Sequence, residues 1–246
     1  MRPSWVTYCG RLPVLCRGEA QEIRSWLREP GMSWMWFCCG VTLMASALYG
    51  ASVGWWQAPM QSAYAAVKFP ALIFATTFGN AVLNGMLAQV LGLPVTFRES
   101  LLAILMSFVI ATLVLAAFAP MSWFLAYSAP GPGSAGADRA YSAILLTHVA
   151  VIAYAGVAAN VRLFRLLRVL NGGDRPSRRV LLAWLAGNLL VGTQVSWIIS
   201  PFIGSPVKPL MFIQEHPFQR NFFEYAFERV VHLYQPTTRR GEHHER

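Results

Sequence analysis

The fold class this chain predicts is all-α: a polytopic membrane protein built as a bundle of five transmembrane helices. Three observations carry that expectation. Between Trp34 and Ile203 lie five apolar stretches, each long enough to cross a bilayer and nearly free of charge. Only 13% of the 246 residues are charged, against 55% hydrophobic, whereas a soluble domain carries about 25% charged residues. Tryptophans gather at the ends of the first stretch, Trp34 and Trp36 on one side and Trp55 and Trp56 on the other. An indole ring suits the membrane interface because its body is apolar and its N–H is wet.

The net charge of +9 does not point to nucleic acid. The basic residues sit in the N-terminal segment, the loop after the fourth span and the tail, as helix-flanking anchors do. The lipid bilayer is the expected partner, and nucleic acid is not. Cys9 and Cys16 lack neighbouring histidines, and Cys38 and Cys39 fall inside the first span, so neither a disulfide framework nor a metal site is expected. Residues 1–32 mix polar and apolar side chains without a small-residue cleavage site, so no cleavable signal is expected.

Three regions follow: 1–32, an interfacial segment; 33–204, the five-helix transmembrane domain; and 205–246, a tail with an amphipathic helix. In the first, Ile23, Trp26 and Leu27 fall at i, i+3, i+4 and predict a short surface helix within Gly18–Glu29, stopped by Pro30-Gly31. The first span, about Trp34–Trp56, holds Gly50 and Gly54 as a GxxxG face for close helix packing. The second is expected over Ala66–Gly92, with Lys68 snorkelling to the headgroups and Pro70 in the first turn. Thr96 and Glu99 form a capping box for the third span, Leu101–Ala119, whose uniform apolarity suggests that it faces lipid most. Pro120 and Trp123 mark its exit, and Ala129–Ala137 is a loop. The fourth span, Tyr141–Asn160, continues through Arg162, Arg165 and Arg168 to Asn171-Gly172-Gly173. The fifth is expected over Val180–Ile203, ended by Gly204-Ser205-Pro206.

An odd number of spans places the termini on opposite sides. The short segments hold twelve Lys and Arg on the N-terminal side and two on the other. The positive-inside rule then predicts a cytoplasmic N-terminus and an exoplasmic C-terminus.

Polar residues inside the spans form stripes. Thr76, Asn80 and Asn84 share one face of the second helix, and Asn188, Gly192, Ser196 and Ser200 one face of the fifth, with Gln194 nearby. Buried amides and hydroxyls need partners within the protein, so these faces should meet. Equal depth pairs Asn84 with Asn188 and, on the fourth helix, His148 with Gln194. Interhelical glue, contributing about 0.6–2 kcal/mol per bond, is the favoured reading over a polar pathway. His148 could titrate near neutrality, but no span offers it an acidic neighbour. Enzyme signatures such as HExxH, CxxC or a phosphate-binding glycine loop are absent from the sequence, and no cofactor is expected.

Gln194, Trp197, Pro201, Phe202 and Gly204-Ser205-Pro206, with Lys68-Phe69-Pro70, resemble uncharacterised bacterial five-span integral membrane proteins. These are similar in turn to the Yip-type family of five-helix membrane proteins linked to vesicle traffic. The acidic N-terminal region of the eukaryotic members is missing here. The resemblance implies this architecture in a bacterial inner membrane and transfers no catalytic or binding residue.

In the tail, Pro217–Tyr234 predicts an amphipathic helix whose stripe of Phe223, Phe227, Val230 and Tyr234, widened by Phe222, would either lie on the bilayer surface or its own helices or dock a partner. The expected function is therefore a non-catalytic membrane scaffold or accessory subunit in a protein complex. The alternative is a transporter or channel for a small solute or lipid, lined by the neutral stripes.

Overall fold

The computed structural model describes residues 5–29, 32–90, 96–171, 174–204 and 211–213. Seven helices run in order: α1 Trp5–Arg17, α2 Ala20–Arg28, α3 Ser33–Gly54, α4 Pro59–Val90, α5 Phe97–Ser128, α6 Ala137–Asn171 and α7 Asp174–Ile199. No strand occurs among the described residues. α3 to α7 each contain a segment long and apolar enough to cross a membrane, so the chain is an all-α polytopic bundle.

α5 is the centre of that bundle. It packs against α3, α4 and α6, and its first turns meet α1 and α2. Leu102 to Met106, Val109, Ile110, Thr112 and Leu115 are all buried. The expectation that this helix faces lipid most is thus overturned. Lipid tails are as apolar as leucine, so uniform apolarity does not distinguish a lipid-facing helix from a central one. The capping box forms as the sequence predicts. Thr96 accepts from the Glu99 N–H, and the Glu99 carboxylate accepts from the Thr96 N–H. The helix does not exit at Pro120 but continues through it to Ser128.

The α3–α4 pair closes through a four-residue turn. A Cβ on Gly50 would lie 2.5 Å from the Ala65 carbonyl oxygen, and one on Gly54 would meet the Gln61 carbonyl. Only glycine lets these backbones approach so closely. Ser62 adds a hydrogen bond from its hydroxyl to the Ala51 carbonyl at 2.7 Å. α4 starts seven residues earlier than expected, because Pro59 takes the first turn. Lys68 and Pro70 are therefore well inside the helix. The snorkelling expectation for Lys68 fails, since its side chain is buried in the protein.

The N-terminal segment is more structured than its sequence signal. Besides the expected surface helix, seen as α2, α1 forms despite Pro13. Gly18 joins them with φ +74° and gives its N–H to the Val14 carbonyl, a left-handed helix end that suits glycine. Tyr8, Leu15, Ile23, Trp26 and Leu27 are buried against the near ends of α3, α5 and α6. Arg11 ties this clasp. Its guanidinium bonds both carboxylate oxygens of Glu29 at 3.0 and 2.7 Å and lies 5.0–5.5 Å from the ring centroids of Tyr8, Trp26 and Trp34. Arg98 donates to the Glu29 carbonyl at 2.9 Å, and Arg162 to that of Cys16 at 2.5 Å. Burial pushes the Cys16 thiol pKa up, partly offset by Arg162.

Candidate functional site

The polar stripes of α4 and α7 do meet, because glycines let the helices approach. Gly79 packs on Val191, where a Cβ would come within 3.0 Å of a methyl, and a Cβ on Gly187 would lie 2.8 Å from the Asn80 Oδ1. In that close contact the Asn80 Nδ2 donates to its own helix at the Thr76 carbonyl, 2.9 Å away, and to the Asn188 Oδ1. Asn188 therefore meets Asn80, one turn before the expected Asn84, whose side chain lies outside the described ones. The reason is register. α7 begins six residues earlier than the hydrophobic pattern suggests, so Asn188 enters about 9 Å deeper.

The far end of α7 is also held by α4. The helix stops at Ile199, before Pro201 rather than at Gly204, as expected where a proline restricts the residue ahead of it. Its last carbonyls are then short of donors. Lys68, only 2% exposed, donates from Nζ to the Pro201 carbonyl at 2.8 Å. Gln61 donates from Nε2 to the carbonyls of Pro201 and Phe202 at 3.1 and 3.0 Å. A cation at a helix C-terminus is favoured by the helix dipole, and the Phe212 ring lies 5.0 Å from the ammonium. Phe202 completes the joint by packing edge-on against Phe69 at 5.0 Å.

His148 is buried, but its partner is not Gln194. Its Nδ1 and the Tyr49 Oη share a hydrogen bond at 2.8 Å, and Tyr49, fully buried, packs edge-on against Phe69. The expected His148–Gln194 pair is replaced by this α6–α3 bridge. Gln194 is half-buried on α7. A tyrosine beside the Gly50 packing face was the available signal, since a buried hydroxyl needs a partner.

α7 touches α4 and α6 closely, and none of its described residues from Leu181 to Ile199 is buried. Between it and α5 remains a cleft of about 650 Å³, walled by α4, α5, α6 and α7. Phe69, Ile73, Leu115 and Ile152 supply apolar wall, while Thr76, Ser107, Asn160, Asn188 and Ser196 supply neutral polar groups. Among the described residues, no charged side chain lines it. Its volume and its mostly apolar wall with a few polar groups are those of ligand sites. Among the described residues, no group of three or more His, Cys, Asp or Glu could hold a metal ion.

Phe222, Phe223, Phe227, Val230 and Tyr234, the expected docking stripe, lie outside the described residues. Fold and spans together define the class, a membrane-embedded helical protein. No family model, curated protein or solved structure matches this chain.

Proposed function

We propose that this protein binds a small, predominantly apolar ligand inside the bilayer, in the cleft between α4, α5, α6 and α7, as a lipid-handling membrane protein or transporter. The supporting observation is the cleft itself: about 650 Å³ of space between helices long and apolar enough to cross a membrane, lined by apolar and neutral polar side chains. Helix packing in membranes normally fills such space, so an opening kept between α5 and α7 favours a resident molecule over interhelical glue alone. The proposed setting is a bacterial inner membrane with a cytoplasmic N-terminus, for which the skewed arginine distribution argues.

Gly156 offers the test. It lines the cleft, and a Cβ added there meets nothing within 4 Å. Gly156→Leu therefore has room for its Cβ, adds bulk to the wall of the cleft and suits the helix. Native mass spectrometry of protein released from gentle detergent should show a bound small molecule on the wild type and about tenfold less on Gly156→Leu. Equal loading of both proteins, or none on the wild type, refutes the reading. A stoichiometric protein partner on an unloaded wild type would favour the accessory-subunit alternative.

A further inference from the structure

Each of the four helices brings a polar group of the cleft to a similar depth. Ser107 stands ten residues after the start of α5, Asn160 eleven before the end of α6, Asn188 fourteen after the start of α7 and Thr76 fourteen before the end of α4. At 1.5 Å per residue these lie roughly 15–21 Å from the helix ends on the α1–α2 side, a shared level. Beyond it α4 and α6 present apolar wall, while Thr112 of α5, Thr193 of α7 and Ser200 just past α7 give their hydroxyls to carbonyls three or four residues back, and Ser196 adds a further hydroxyl on α7.

Hydrogen-bonding capacity is left over at that level. Asn188 accepts from Asn80 through Oδ1, and its Nδ2 has no partner among the described residues. Asn160 turns Nδ2 back to the Gly156 carbonyl at 2.8 Å, which leaves Oδ1 as an acceptor. Thr76, 6% exposed, has a buried hydroxyl with no partner. It faces Gly192, where an added Cβ would lie 3.8 Å from its Oγ1. A buried polar group without a partner is costly; the Thr76 hydroxyl is one, and the half-buried amides of Asn160 and Asn188 beside the same space have capacity to spare.

Resting on the ligand-cleft reading above, we infer that the occupant is an uncharged, elongated apolar molecule carrying one compact oxygen function, which accepts from the Asn188 amide at the Ser107–Asn160–Asn188 level. An ionised headgroup is disfavoured, because the described wall offers no counter-charge to offset its desolvation. The sharp preference is for a neutral oxygen over a carboxylate on the same chain, because the carboxylate, although the stronger acceptor, brings a charge whose desolvation the neutral wall does not offset.

Two photoreactive probes test this, a long-chain alcohol and the fatty acid of equal length, each carrying a diazirine. Each is crosslinked to the intact protein in nanodiscs at a pH where the acid is ionised, and the labelled peptides are mapped. The alcohol should label the cleft segments of α5, α6 and α7 about tenfold more than the acid. Asn188→Leu, or Ser107→Ala if the former misfolds, should remove that preference. Equal labelling by both probes, or a preference that survives in the variants, overturns the neutral-head inference while leaving the ligand cleft standing. If neither probe labels the cleft, both fall.

Discussion

Lys68 shows how one residue can be read correctly as unusual and wrongly placed. A lysine near an apolar stretch normally snorkels, and the sequence allowed that while the helix was taken to start at Ala66. With the start at Pro59, Lys68 is buried and holds the Pro201 carbonyl. Lys68→Met keeps the length of the stem and removes the donors, so the end of α7 should loosen by about 1–3 kcal/mol. Faster hydrogen exchange confined to the last turns of α7 would be the readout, and unchanged protection there would contradict the assignment. The asparagines were legible as residues that must be paired inside the protein, but not as a pair. Choosing Asn80 over Asn84 needs helix ends correct to one turn, which the apolar pattern does not supply. Asn80→Leu should weaken the α4–α7 contact by about 0.6–2 kcal/mol, measurable by thermal unfolding in detergent. An unaltered midpoint would contradict that role.

At the level of elements, five spans, the capping box at Thr96 and the close face at Gly50 and Gly54 were all readable. Each rests on local chemistry: bilayer length, a side chain reaching back to its own helix, and the missing Cβ of glycine. Burial order was not readable, because lipid and protein interior look alike to an apolar side chain; hence the misreading of α5. α1 escaped notice because its apolar positions are mixed with Pro13 and Gly10, and its order comes from packing against other helices rather than from propensity. Gly50→Ala should force apart α3 and α4 at the Ala65 carbonyl and cost about 1–3 kcal/mol, seen as earlier thermal unfolding. A variant as stable as the wild type would show that the two backbones have room to spare. The clasp of α1 and α2 should depend on Arg11. Since the Glu29 side chain is partly exposed, Arg11→Met should cost only about 1–2 kcal/mol, mostly from the aromatic contacts. Proteolysis between α2 and α3 should then speed up without loss of the five-helix domain, and an unchanged cleavage rate would argue against the clasp.

For the whole molecule, the proposed orientation and the proposed cleft make one picture. With the N-terminus cytoplasmic, the Ser107–Asn160–Asn188 level of the cleft falls toward the cytoplasmic half, and Phe69, Ile73, Leu115 and Ile152 wall it toward the outer half. In a variant freed of native cysteines, a cysteine at Asp174 should react only from the cytoplasmic side and one at Ser134 only from outside. The reverse pattern would invert the protein and with it the direction of the ligand. The most direct measurement of the central claim is an experimental density map of the protein in lipid nanodiscs. The account predicts α7 held to α4 but standing off from α5, with elongated density in the intervening cleft ending beside Asn188. α7 packed tightly onto α5, with no space between them, would contradict it.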